Sequence, residues 1–519
     1  MKKLSRYIAI LLLLVSTGCA DFLDKHPYED YEQKDILESV EGLNSLLVGS
    51  YDIVKDRYYY GALMYQYEAA RGLDFAVRLG SGGSSMLREA RYSLSRSANG
   101  DGANAWQTIY SLITNLNLII DNIDNVQGDV GELRRIKGEA MALRGLAYFD
   151  LMRLFAYPPT YSIQGKGNYN QELSLGVPII ETSDKSLNPE KYTIRRETAE
   201  TSYGFIVEQL TTAKNYLHGR KGVKGHVDAP TVSALLMRVY LYLELWDEVV
   251  SEGEEWIANY DGNYSMLSYE KYPNDYYEPF NSESIWELEY TASNSLERNS
   301  LNYWARKPTH DDPESPDYGT VAKDIGYARM LMQYEGANTG LNILRLYPDD
   351  IRQVLICELG IPEKPQYYGF RKYVGKPYHY VHNIPLVRLP EIYLTLAEGY
   401  FKTGNTTEAG RYASMVSSVR RLATISGSSV NDIYNERRRE FMFEGQNYWD
   451  MFRTARNLTG RQIVEYSDDA TISFGDVTST RAHHRAVYPI PLREMNANKA
   501  IRDQQNPGYG EWVSGGEEE

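Results

Sequence analysis

The chain has 519 residues, with 70 acidic and 55 basic side chains and a formal net charge of −15. That balance argues against a nucleic-acid partner, because phosphate contacts need a basic face. Its 2 cysteines, Cys19 and Cys357, leave size and packing rather than disulfides to hold the fold. The outlying number is 45 tyrosines beside 12 phenylalanines and 7 tryptophans. Tyrosine has an apolar face and a polar tip, which suits a half-wet surface or a polar ligand.

Lys2, Lys3 and Arg6 give a basic start, and Tyr7 to Val15 is an unbroken apolar run. Ser16-Thr17-Gly18 places small residues before Cys19. That order reads as a secretory signal peptide over residues 1–18, and the run is too short for a permanent span. With a cysteine at the cut site, Ser16-Thr17-Gly18-Cys19 resembles a bacterial lipobox, which makes Cys19 the expected lipidation site. Ser16 stands where Leu is commoner. No second long apolar run follows.

Residues 20–30 read as an acidic tether and 38–51 as a first helix. Periodicity then lapses over 71–105. Gly80-Ser81-Gly82-Gly83-Ser84-Ser85 lacks the Gly-Lys-Ser/Thr ending of a phosphate loop and reads as a flexible loop. From Trp106 to Ile123, and again from Leu133 to Leu154, apolar residues recur at steps of three and four, the mark of one buried helix face. Gly145, inside the second helix, predicts a close helix crossing, since glycine there costs roughly 1 kcal/mol against alanine. Pro158-Pro159 stops it, and Val177 to Ile180 reads as a short extended piece. Another helix is predicted over 203–217, then a helical pair at 231–245 and 247–259. A similar pair follows at 392–403 and 407–421 around Gly404-Asn405. Superposing Tyr240 on Tyr400 places Val249 on Ala409, a pattern that resembles a tetratricopeptide repeat. The distance between the pairs argues against one plain array.

Residues 261–390 are rich in Tyr, Pro, Asn, Asp and Gly, with a strand-like alternation over 285–290. They read as ordered loops carrying the working surface. Residues 432–453 predict one more helix. Its Glu436, Arg437, Arg438, Arg439, Glu440 and Glu444 read as ion pairs at helical spacing rather than an anion site. His483-His484 lacks further ligands at metal spacing, and no metal or cofactor is expected.

The front of the chain carries Cys19-Ala20-Asp21-Phe22-Leu23-Asp24. Next comes Glu139-Ala140-Met141-Ala142-Leu143-Arg144, leading to Tyr148-Phe149-Asp150-Leu151. Pro385 to Leu394 with Ala397-Glu398 follows. Then come Glu436 to Glu440, Phe443-Glu444-Gly445 and Trp449 to Arg453, and Gln505-Asn506-Pro507-Gly508-Tyr509 ends the series. This ordered set of motifs, most specifically the run from Glu436 to Arg453, resembles the SusD/RagB family of outer-membrane nutrient-binding lipoproteins. Gly145 replaces a more usual alanine, and a polar insert fills 158–175. The resemblance implies a mainly α fold: tetratricopeptide-like hairpins over about 36–260 and 385–456, with a loop-rich region over about 261–384, in one domain spanning 19–519. It implies an outer-membrane, lipid-anchored, surface-exposed protein that binds oligosaccharide and delivers it to a SusC-like TonB-dependent β-barrel. A peptide-binding lid of the RagB type is the alternative. A helical glycoside hydrolase is a further rival, disfavoured because no catalytic signature is found; the protein is not expected to be an enzyme.

A glycan site needs aromatic platforms and hydrogen-bonding groups in a shallow groove. Two stretches meet that demand: Asp74, Arg78 and Tyr92, and Tyr290, Tyr303, Trp304 and Arg306. Trp304 reads as an exposed platform outside any helical period. Trp106, Trp246, Trp256 and Trp449 read as core.

Overall fold

Periodicity becomes helix where the sequence marks it most strongly. The computed structural model describes residues 36–79, 86–90, 92–95, 100–220, 222–305, 330–332, 339–359, 367–373, 381–456, 463–465, 471–472 and 485–510. The long helices are α1 (Val40–Val54), α2 (Leu63–Arg71), α3 (Asp101–Asn122), α4 (Val130–Phe155), α5 (Ala199–Leu217), α6 (Ala229–Leu243), α7 (Trp246–Tyr260), α8 (Leu389–Lys402) and α9 (Thr406–Arg421). Their starts follow local chemistry. Ser39, Asp129 and Asp228 each accept a backbone N–H two or three residues into the turn they begin, relieving donors that have no helical partner.

Gly145 does mark a close crossing. A Cβ there would lie 2.9 Å from the Leu210 side chain of α5, so α4 and α5 pack at a distance only glycine permits. The two hairpins, α6–α7 and α8–α9, behave as equivalents: Val249 and Ala409 are both fully buried. They also stack directly. A Cβ on Gly253 of α7 would meet Leu396 of α8 at 2.4 Å, and one on Gly399 of α8 would meet Val249 at 2.7 Å. The sequence distance between the pairs therefore does not break the array. The intervening residues leave the helical stack after α7 and return at α8. The body is thus a tetratricopeptide-like scaffold in which each hairpin buries its apolar face on the next.

The loop-rich half is built from small sheets. Strands β1 (Phe75–Leu79), β2 (Ser284–Leu288), β3 (Met330–Met332), β4 (Ile356–Leu359), β5 (Tyr367–Phe370), β6 (Ile384–Arg388), β7 (Ile463–Glu465) and β8 (Thr471–Ile472) form a four-stranded sheet in the order β3-β1-β7-β8 and two antiparallel pairs, β2–β6 and β4–β5. Residues 177–180 are extended but join no ladder.

The segment 432–453 is not one helix. It is α10 (Val430–Glu440) and α11 (Asn447–Arg453), separated by a turn in which Phe443 and Gly445 both take positive φ. The carboxylate of Glu68 accepts the N–H groups of Gly445, Gln446 and Asn447, which caps α11 from across the fold and holds the break open. Trp106, Trp256 and Trp449 are buried, as expected. Trp246 is only half-buried, with the Lys402 ammonium 5.4 Å from its ring centroid.

Candidate ligand cleft

The charges of α10 face inward, onto the loop-rich half. Glu440 accepts from Arg388 (2.9 Å), Arg352 (3.1 Å) and Arg420 (3.1 Å). Glu283, just before β2, accepts from Arg420 (2.5 Å) and Arg388 (3.0 Å). Glu436 pairs with Arg352 (2.8 Å), Arg439 (2.8 Å) and Arg421 (3.2 Å). Ion pairing was the right expectation, but helical spacing supplies only Glu436–Arg439; the other partners come from the end of α9 (Arg420, Arg421), the end of β6 (Arg388) and the 3-10 turn before β4 (Arg352). Burial alone would raise the Glu440 carboxyl, yet Arg420, Arg388 and Arg352 outweigh it and hold it well below the usual carboxylate range. By the same contest Glu436 falls to about 2. The hub gathers β2, β4, β5 and β6 at one place, because Glu283 precedes β2, Arg388 ends β6, Lys372 follows β5 by two residues and Arg352 lies in the 3-10 turn Ile351–Leu355 that leads into β4.

A small cleft of about 140 Å³ opens beside this hub, below the roughly 300–1,000 Å³ of drug-sized ligand pockets. One wall is Tyr276 to Asn281, with Tyr276 and Tyr277 in front. The floor is Glu287 and Tyr290, running out of β2, with Glu289 exposed at the rim. The opposite wall holds Lys372, Tyr373, Val381, His382 and Asn383. Tyr276 stands on the hub itself, its ring 5.7 Å from the Arg388 guanidinium carbon. Tyr290 is fixed at its tip, where the hydroxyl donates to the Lys55 carbonyl (2.9 Å). Tyr373 likewise donates to the Phe443 carbonyl (2.9 Å).

Two polar atoms of the lining have no hydrogen-bond partner among the described residues: the Tyr276 hydroxyl and Nε2 of His382. Burial pushes the His382 imidazole down to about 4, so it is neutral at physiological pH. Its Nδ1 faces the Asn383 carbonyl at 3.3 Å. The proton therefore sits on Nδ1, and Nε2 presents a lone pair. Glu287 is held by the Asn383 amide (3.0 Å) and the Phe280 N–H (2.9 Å), and burial raises its carboxyl.

Of the residues picked from sequence, Tyr290 lines this cleft. The other described ones lie elsewhere. Trp304 is not exposed: it keeps 2 % of its surface and belongs to a short helix, Leu301–Ala305, that lies against β3. Tyr303 falls in that helix, and Arg78 falls in β1. Asp74 is buried and binds Arg438 (2.6 Å) and the Asn447 amide (2.9 Å), which makes it a brace to α10 and α11. Tyr92 is buried, its ring centroid 3.9 Å from the Arg71 guanidinium carbon. Arg306 and Cys19, like His483-His484 and Gly80 to Ser85, lie outside the described residues. Tyr276, Tyr277, Tyr373 and His382 were missed. The dense aromatic runs Tyr272-Pro273-Asn274-Asp275-Tyr276-Tyr277 and Tyr378-His379-Tyr380-Val381-His382 were the available signal.

A helical-repeat scaffold carrying an ordered loop half with a tyrosine-lined cleft defines a class of binding proteins, and comparison places the chain within it. A family model described as starch-binding associating with outer membrane matches residues 21–241, and the SusD family model matches residues 362–509. A SusD-like protein of Bacteroides ovatus is 24 % identical over 400 residues, covering 70 % of this chain and 67 % of that one. A solved SusD superfamily protein from Bacteroides thetaiotaomicron superposes with a TM-score of 0.77 at 26 % identity, covering 90 % of this chain and 100 % of that one. A laminarin-binding SusD-like protein shares the fold, with a TM-score of 0.67 at 21 % identity over 90 % of this chain and 99 % of that one. The chain belongs to the SusD/RagB family.

Proposed function

We propose that this protein binds oligosaccharide at the cell surface, in the cleft between Tyr276–Asn281 and Lys372–Asn383, and passes it to a SusC-like TonB-dependent barrel. The observation that carries the reading is the lining itself. The half-buried Tyr277 and the edges of the buried Tyr276, Tyr290 and Tyr373 give an apolar lining, and within it the buried Tyr276 hydroxyl and His382 Nε2 have no hydrogen-bond partner among the described residues. Sugar rings need that combination of apolar platform and unspent polar groups. Family membership supports it, since one matching model is described as starch-binding and associating with the outer membrane. A laminarin-binding protein is built on the same fold. Lipidation at Cys19 would tether the chain, as one unit from residue 19, to the outer membrane, and a lid and a barrel sharing one ligand raise effective affinity without tight binding by either.

Among the described residues no helix is long and apolar enough to cross a membrane. Binding without hydrolysis is part of the proposal. Calorimetric titration of purified protein with a panel of polysaccharides and casein-type peptides, each mixture checked for cleavage, tests it. Heat with a glycan and intact product is the expected result. Binding of peptide alone would favour the RagB-type reading, and cleavage would overturn the non-enzymatic one.

A further inference from the structure

Resting on the reading that this cleft takes a sugar, we propose that it selects an uncharged sugar unit and rejects uronates and other anionic glycans. Among the described residues, two cations touch the cleft, Lys372 and Arg388. A guanidinium has five N–H donors and an ammonium three. Arg388 spends its donors inward. Nε donates to Glu444 (3.0 Å), Nη1 to Glu283 (3.0 Å) and Glu440 (2.9 Å), and Nη2 to Glu444 (2.5 Å) and the Glu440 carbonyl (3.3 Å). Lys372 donates to the carbonyls of Glu440 (2.7 Å) and Met442 (3.0 Å) and pairs with Glu444. Neither cation keeps an N–H for a ligand carboxylate or sulfate. The next cation, Lys224, stands over the Phe280 ring at 4.1 Å rather than in the lining.

What the lining does present is of the other sign. Glu278 and Glu289 are exposed at the rim, and Glu287 lies in the floor. The uncommitted atoms are an acceptor, His382 Nε2, and a hydroxyl, Tyr276, which is itself 93 % buried by the complement of its 7 % exposure. Sugar hydroxyls can donate to the first and pair with the second. A carboxylate would meet like charge at the rim and find no charge-assisted donor inside, the pairing that makes anion recognition strong.

The test is calorimetric titration of purified protein with neutral gluco-, manno- and xylo-oligosaccharides and with oligouronates of matched length. At least one neutral series should bind, and no oligouronate should come within about tenfold of it. Glu289 is exposed and makes no packing contact in the core, so Glu289→Lys folds as the parent does. It should shrink the neutral-to-uronate ratio by about fivefold, the scale of one exposed charge pair. An oligouronate bound as tightly as the best neutral sugar overturns the proposal, and so does a ratio unmoved in Glu289→Lys. These failures are distinct from failure of the underlying reading, which would appear as binding of peptide alone or of no sugar of either charge. Loss of neutral-sugar binding in Tyr276→Phe together with Tyr290→Ala ties the selectivity to this cleft; full retention places the binding elsewhere and overturns it.

Discussion

The helical body and the loop-rich half are held by different physics. In the body, glycines let helices approach closely and apolar faces do the rest. Gly145 lies against Leu210, and Gly253 and Gly399 interlock with Leu396 and Val249. In the loop half, segments at or flanking four strands are tied to one another, to α10 and to Glu444 by buried arginines and a lysine. Apolar burial is tolerant of small shifts because it is non-directional. A buried ion pair is not: it needs close geometry to offset desolvation, and removing one partner leaves a bare charge. The body is therefore expected to absorb change, while the loop half, and the cleft it shapes, depends on a few charges.

The sharpest way to break that contrast is Arg420→Met. It takes one of two cationic partners from Glu283 and one of three from Glu440, and the loss should be about 3–5 kcal/mol, read by urea denaturation. A loss comparable to an exposed ion pair would show that the hub does not hold the loop half. In the body, Gly145→Leu forces the side chain into Leu210 and should cost about 1–3 kcal/mol through overpacking, with ligand binding retained in the protein that remains folded.

Acid sharpens the comparison without a mutation. The folded-state carboxyls of Glu436 and Glu440 are depressed, Glu436 to about 2. Their contribution is fully present above the unfolded glutamate value of about 4.3 and is lost as pH falls through the folded value. Stability should therefore drop between roughly pH 4.5 and 2, and amides of β2, β4, β5 and β6 should open before those of α4 and α5. Simultaneous opening of both regions in a pH-resolved exchange series would contradict it. The smallest effect is Tyr290→Phe, which removes one hydrogen bond to the Lys55 carbonyl and should cost about 1 kcal/mol in a denaturant midpoint shift at unchanged slope.

The same contrast explains what was legible in the sequence. Helices α3, α4, α5, α6 and α7 follow from a three-and-four rhythm that is local, and Gly145 announced its crossing because glycine inside a helix needs a reason. The family motifs were local too. The break between α10 and α11 was not, because it is imposed by Glu68 from the far side of the fold. Trp304 looked exposed because its neighbours are polar, but its short helix lies against β3, a strand that no spacing connects to it. The cleft was legible only at Tyr290. Tyr276 to Asn281 is near Tyr290 in the chain, but the opposite wall, with Lys372, Tyr373 and His382, comes from beyond β3, β4 and β5 and is brought back by the hub. Ion pairing in Glu436 to Glu444 could be read; which arginines answer it could not.

The most direct measurement is a hydrogen-exchange footprint of the protein with the oligosaccharide it binds. The account expects protection concentrated at 276–290 and 367–388, the walls of the tyrosine cleft, with α3 to α7 unchanged. Protection confined to the surroundings of Asp74, Tyr92 and Trp304, with the cleft walls unaffected, would contradict it.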